Sequence, residues 1–142
     1  MDGGRLLECC VEEVDVGSLL VKALSKEAEV AVTVAHAVYK EHMVLLMDCL
    51  VAWSWMNKRA WDIAVEHSVE EALEALLEAC SLVRRGLVEA PYRLKSHVLL
   101  KAYTHKALHD PVFRSTLLNT LGYLARRDLG LRISTRLTRR GY

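Results

Sequence analysis

The sequence predicts an all-α protein: an up-and-down bundle of four main helices, with a short extra N-terminal helix and a basic C-terminal arm. Three observations predict it. Apolar residues recur at three- and four-residue spacing along most of the 142 residues. Helix breakers are scarce, two Pro and seven Gly, and they fall where periodic segments end. The intervening segments are short and carry capping chemistry, which implies antiparallel neighbours.

Residues 6–14 form a short helical candidate, and Asp15-Val16-Gly17-Ser18 is a turn followed by the apolar stretch Leu19 to Leu24. Ser25 caps a long helix extending to Asn57, with Val30, Val34, Ala37, Val38, Val44, Met47 and Val51 at helical spacing. Asn57-Lys58-Arg59 is a break before further turns carrying Trp61 and Val65. Ser68 and Glu71 form a capping box: the hydroxyl accepts from a first-turn amide and the carboxylate reaches back to the cap amide. The helix they open carries the stripe Leu73, Leu76, Leu77, Cys80, Val83 and Leu87, with Gly86 as its C-terminal cap. Pro91 suits the first turn of the next helix, which runs to His109. Asp110-Pro111 caps the last main helix, which stops near Gly130. Residues 1–130 are thus the helical domain and residues 131–142 the arm. In the arm Leu131, Ile133, Thr135 and Leu137 alternate like a strand, whereas Arg132, Arg136 and Arg140 repeat like a helix face.

Charge is divided unevenly. Residues 1–78 hold 15 acidic and 6 basic side chains, and residues 79–142 hold 3 acidic and 13 basic. An overall charge of +1 therefore conceals a dipolar chain. Six arginines, Arg126, Arg127, Arg132, Arg136, Arg139 and Arg140, fall in the last 17 positions. The guanidinium fork suits phosphate, so these residues, with Arg93 and Lys101, are the candidate nucleic-acid contacts. Arg84, Arg85, Lys95, Lys106 and Arg114 add to the same basic half. The competing expectation is that the acidic helix beginning at Val69 neutralises its basic neighbours.

Apolar residues make up 52% of the chain, so either the core is generous or an apolar face serves association. Met43 to Met56, the longest apolar candidate, is too short to span a bilayer and contains Asp48. No secretory leader is evident at the start of the sequence. Cys9, Cys10, Cys49 and Cys80 lack CxxC spacing and are expected to be reduced, mostly buried thiols of a cytoplasmic protein. The absence of Gln and the excess of Arg over Lys suggest a thermophilic source. Trp53, Trp55 and Trp61, with Met43, Met47 and Met56, are assigned to core or to a subunit contact.

Two constellations could carry chemistry. His105 and His109, spaced i, i+4, could share a metal on one helix face, although no Glu-x-x-His accompanies them. Arg93 and His97 are expected on one face of the helix after Pro91. Arg can stabilise a charged phosphorane-like state while His moves protons. With the helical architecture, this pair resembles the HEPN superfamily of helical bundles. That family's motif places four to six residues between Arg and His, whereas only Leu94, Lys95 and Ser96 intervene here. The resemblance implies a metal-independent ribonuclease. No phosphate-binding glycine loop is present and no cofactor is expected.

Three functions are consistent with these features. The favoured one is a non-enzymatic helical subunit of a nucleoprotein assembly, which holds nucleic-acid backbone without sequence specificity through its basic half. The second is the ribonuclease using Arg93 and His97. The third is a homo-oligomerising module in which the acidic half of one copy meets the basic half of the next, giving rings or filaments.

Overall fold

The computed structural model describes residues 9–125, which are mostly helical, with six α-helices and two small antiparallel strand pairs. The arm and the arginines from Arg126 onward lie outside the described residues. No helix among those described is long and apolar enough to cross a membrane.

The expected N-terminal helix does not extend past Cys9, which is helical. Strands β1 (Val11–Val16) and β2 (Leu19–Leu24) make a hairpin instead, in the register Val14↔Val21 and Val16↔Leu19. Two β-branched or aliphatic runs separated by two residues, with Gly17 at φ +71°, are a hairpin signal that outweighs weak helical spacing.

The expected long helix from Ser25 to Asn57 is divided. Helix α1 (Lys26–Ala35) starts at Ser25, whose Oγ accepts from the Ala28 amide at 3.3 Å. It continues as a π segment (His36–Glu41) that ends at His42, a left-handed residue at φ 57° whose amide donates to the Ala37 carbonyl. Strand β3 (Met43–Val44) comes next, then helix α2 (Leu46–Trp55). The Asp48 carboxylate reaches back to the Leu45 amide at 2.7 Å, the returning half of a capping box. Asn57 breaks the chain as expected, its side chain accepting from the Ala60 amide at 2.9 Å to open α3 (Lys58–Glu66).

Helix α4 (Glu70–Arg84) begins two residues later than the predicted cap. Ser68 sits at φ 55°, Val69 occupies the cap position without a side-chain bond, and Glu71 turns to Lys101. The capping box is thus replaced by an ion pair between helices. Helix α4 ends as the spacing predicts. The Gly86 and Leu87 amides donate to the Val83 and Leu82 carbonyls, each at 3.0 Å, and Gly86 takes φ +68°.

Pro91 does not start a helix. The Ala90–Pro91 bond is cis, and the chain then adds strand β4 (Tyr92–Arg93) to β3. Helix α5 (Ser96–His109) comes after it. Asp110 caps α6 (Pro111–Ala125) as predicted, its Oδ1 accepting from the Phe113 amide at 2.9 Å.

The core centres on α1, packed against α2, α3 and α4. Small residues Ala28, Val30, Ala31 and Val34 let these helices approach closely, and Leu73, Leu76 and Cys80 of α4 fill the space they leave. Full burial of each leucine stabilises the fold by about 2 kcal/mol. Helix α5 covers α4, and α6 packs on α5 as an outer layer.

The four cysteines are not free. Packing of α2 on α4 sets the Cys49 and Cys80 Cα atoms 5.3 Å apart, within disulfide range, and the two are bonded. Cys9 and Cys10 are bonded to each other at the bend before β1. The expectation of four reduced thiols is thus corrected.

Candidate nucleic-acid interface

The basic half separates into charges that are paired and charges that are not. Lys106 is almost wholly buried, at 1% exposure. Its Nζ donates to the His67 carbonyl at 2.9 Å and pairs with Asp110 Oδ2 at 3.0 Å. The Tyr39 and Phe113 rings flank it, each centroid 5.7 Å from Nζ. Tyr103 stands edge-on to Tyr39 at 5.2 Å and donates to the Tyr39 carbonyl at 2.7 Å. Burial raises the Tyr39 and Tyr103 hydroxyl pKa values. At Asp110 burial opposes ionisation, but the Phe113 amide and the Lys106 ammonium outweigh it and hold the carboxyl down to about 2. Lys106 belongs by sequence to the basic half; in the fold it is a structural cation. The i, i+4 spacing of Lys106 and Asp110 is the sequence signal for that role.

Lys101 is also engaged. It pairs with Glu71 of α4, and that carboxylate raises the Lys101 pKa. His97 and Lys101 line a cleft of about 230 Å³ with Glu71, Glu74 and Glu78. Here the acidic face of α4 meets the basic face of α5 within one chain.

Five cations differ. Arg84, Arg85, Arg93, Lys95 and Arg114 are exposed and have no acidic partner among the described residues. Four of them lie on the α4–α5 connection: Arg84 and Arg85 at the end of α4, Arg93 in β4, and Lys95 at the cap of α5. The cis Ala90–Pro91 bond and the β3–β4 pairing fold this connection back onto the body, where the Leu94 amide donates to the His42 carbonyl at 3.1 Å. The backbone beside Arg93 and Lys95 is therefore tied to the body by the sheet.

Arg93 and His97 do not share a helix face, contrary to expectation. Arg93 precedes α5 and belongs to β4, where it pairs with Met43, and the helix begins only at Ser96. His97 faces carboxylates that would repel a phosphodiester.

His105 and His109 do come together, as stacked rings 4.2 Å apart. One nitrogen of each ring takes another partner: His105 Nε2 lies 3.3 Å from Glu70 Oε1, and His109 Nδ1 bonds the His105 carbonyl at 2.9 Å, while His105 Nδ1 is buried without a hydrogen bond. No group of three or more His, Cys, Asp or Glu among the described residues could hold a metal ion.

The tryptophan zone is divided. Trp55 and Trp61 pack against the core, whereas Trp53 joins Leu46, Met47 and Leu50 on an exposed apolar side of α2.

No family model matches the chain, and neither the curated proteins nor the solved structures contain a match.

Proposed function

We propose that this chain is a non-enzymatic subunit of a nucleoprotein assembly. It holds phosphate backbone without sequence specificity through the α4–α5 connection and the arginines near its C-terminus. The observation that carries this reading is the set Arg84, Arg85, Arg93 and Lys95, exposed on one connection that holds a single carboxylate, Glu89, with which none of them forms an ion pair. Arginine forks bind phosphate oxygens in pairs, and a cluster of cations releases counterions from the polyanion on binding. The outward apolar side of α2 supplies a contact for other subunits, since such a patch costs solubility if left bare. The ribonuclease reading draws no comparable support, because Arg93 and His97 lie on different elements.

The test is fluorescence anisotropy of labelled single-stranded DNA and RNA oligonucleotides across a salt series. The parent chain is expected to bind both, with affinity falling steeply as salt rises. Replacing Arg84, Arg85, Arg93 and Lys95 together by Ala is expected to flatten the slope of log K against log salt by about 3. An unchanged slope, or no salt-dependent binding by the parent, overturns the reading.

A further inference from the structure

The β1–β2 hairpin is a two-stranded sheet with two free edges, and the chemistry of those edges differs. Strand β1 carries Glu12, Glu13 and Asp15, whereas Lys22 is the only charged side chain of β2. The two-residue turn makes Val16–Leu19 a hydrogen-bonded pair, and the Ser25 amide, which donates to the Cys10 carbonyl at 2.8 Å, keeps that phase at the base. Leu19, Val21 and Ala23 therefore turn their backbone groups toward β1, and Leu20 and Lys22 turn theirs outward. Those outward groups take no backbone partner among the described residues.

Side chains are bare on both faces of β2. Leu19 and Val21 share one face with Val14 and Val16, while Leu20 lies on the other, opposite Asp15. Leu19, Leu20 and Val21 are 68%, 73% and 46% exposed. A partner laid on one face would cover only part of this set. A strand set against the edge flanks both faces and also satisfies the outward backbone groups.

We infer that the free edge of β2 pairs antiparallel with β2 of a second copy, about a two-fold axis at Val21. Paired side chains of antiparallel strands lie on one face, so a two-fold axis sets odd positions against odd and even against even. Centred on Val21, the register sets Leu19 opposite the partner's Ala23 and Val21 opposite the partner's Val21. Leu20 then exchanges both backbone bonds with the partner's Lys22, and symmetry repeats the exchange. Centring on Lys22 would oppose two ammonium groups, and centring on Leu20 would pair only Leu19 to Val21. The other edge does not serve, because two copies of β1 set carboxylates against each other. Strand β1 against β2 of the next copy would repeat head to tail without closing. The pairing needs no nucleic acid, so it stands or falls apart from the phosphate reading.

Sedimentation equilibrium of the full chain without nucleic acid tests the inference. Mass is expected to rise from one copy toward two with concentration. Hydrogen exchange over residues 19–24 is expected to slow about tenfold along that rise, while exchange in α4 stays unchanged. Leu20→Lys sets its cation opposite Asp15 within its own hairpin but opposite the partner's Lys22 across the axis. It is expected to move the midpoint of dimerisation about tenfold higher while the hairpin is retained. Val21→Cys is expected to form a disulfide between copies with dissolved oxygen as oxidant, because the Cα atoms of that pair lie about 4.5 Å apart. Leu20→Cys, away from the axis, is expected to cross-link far less. One-copy mass at roughly millimolar protein overturns the inference. So does association that Leu20→Lys leaves unchanged, as a contact through α2 would, or tightens, as the acidic β1 of another copy would. Equal cross-linking at the two cysteine positions, or protection of β2 at one-copy mass, overturns it as well.

Discussion

Lys106 and Arg93 count equally in the net charge, yet their surroundings oppose each other. Lys106 is enclosed between two aromatic rings, a carbonyl and a carboxylate. Arg93 stands in solvent on a two-residue strand with no acidic partner among the described residues. The first arrangement holds α5 to the α3–α4 connection and the start of α6; the second leaves its cation available to a partner. Charge totals cannot separate these roles, because each depends on what the fold sets within about 4 Å of the cation.

The largest expected effect breaks the buried side of this contrast. Lys106→Ala removes the ammonium that pairs with the Asp110 carboxylate and opens a cavity. It is expected to lower unfolding free energy by about 3–5 kcal/mol in urea. Lys106→Met retains volume and is expected to recover part of that loss. If Lys106→Ala melts like the parent, the buried pair is not structural.

A smaller effect sharpens the same site through pH. The Asp110 carboxyl titrates at about 2 in the folded chain, below its ordinary value of 3.8. Its contribution is therefore full above the unfolded value and is lost as pH falls through about 2. Acid titration followed by circular dichroism is expected to show stability declining below pH ~4, by about 1–2 kcal/mol from this group. In Asp110→Asn that share of the decline disappears.

The smallest effect concerns the exposed connection. Gly86→Ala meets no atom within 4 Å but keeps a φ of +68° that an L-residue adopts at a cost. A loss of about 1 kcal/mol is expected in thermal melts, without change in the Lys106 cluster. A loss near zero would mean that the connection relaxes and does not fix its arginines.

Legibility in the sequence tracks the range of the interactions. Asp110-Pro111, Ser25 and Asn57 are readable because a cap is satisfied within three residues. Leu73, Leu76 and Cys80 are readable because one helix face repeats. Ser68 misleads because Glu71, which should return to the cap, finds Lys101 instead. The break after Glu41 is not readable, since His42 turns left-handed without glycine and is held by contacts from distant parts of the chain. Its Nε2 lies 2.9 Å from the Tyr103 hydroxyl, and its carbonyl accepts from Leu94. The hairpin has a local signal, but Gly17 serves equally as a turn before a helix, and only the strand pairing across it decides. On the α4–α5 connection, Arg84, Arg85, Arg93 and Lys95 are visible as cations, but that none of them forms an ion pair is not.

The π segment has a consequence for how this chain tolerates length change. Each of its turns holds more residues than an α-turn, so His36–Glu41 takes up an extra residue between α1 and β3 without turning the chain further. Loss of a single residue there would let the segment relax to an α-helix of nearly the same total rotation, and β3 and α2 would keep their direction. In this stretch a deletion is absorbed by the narrowing of a turn, and is felt inside the segment before it is felt beyond it.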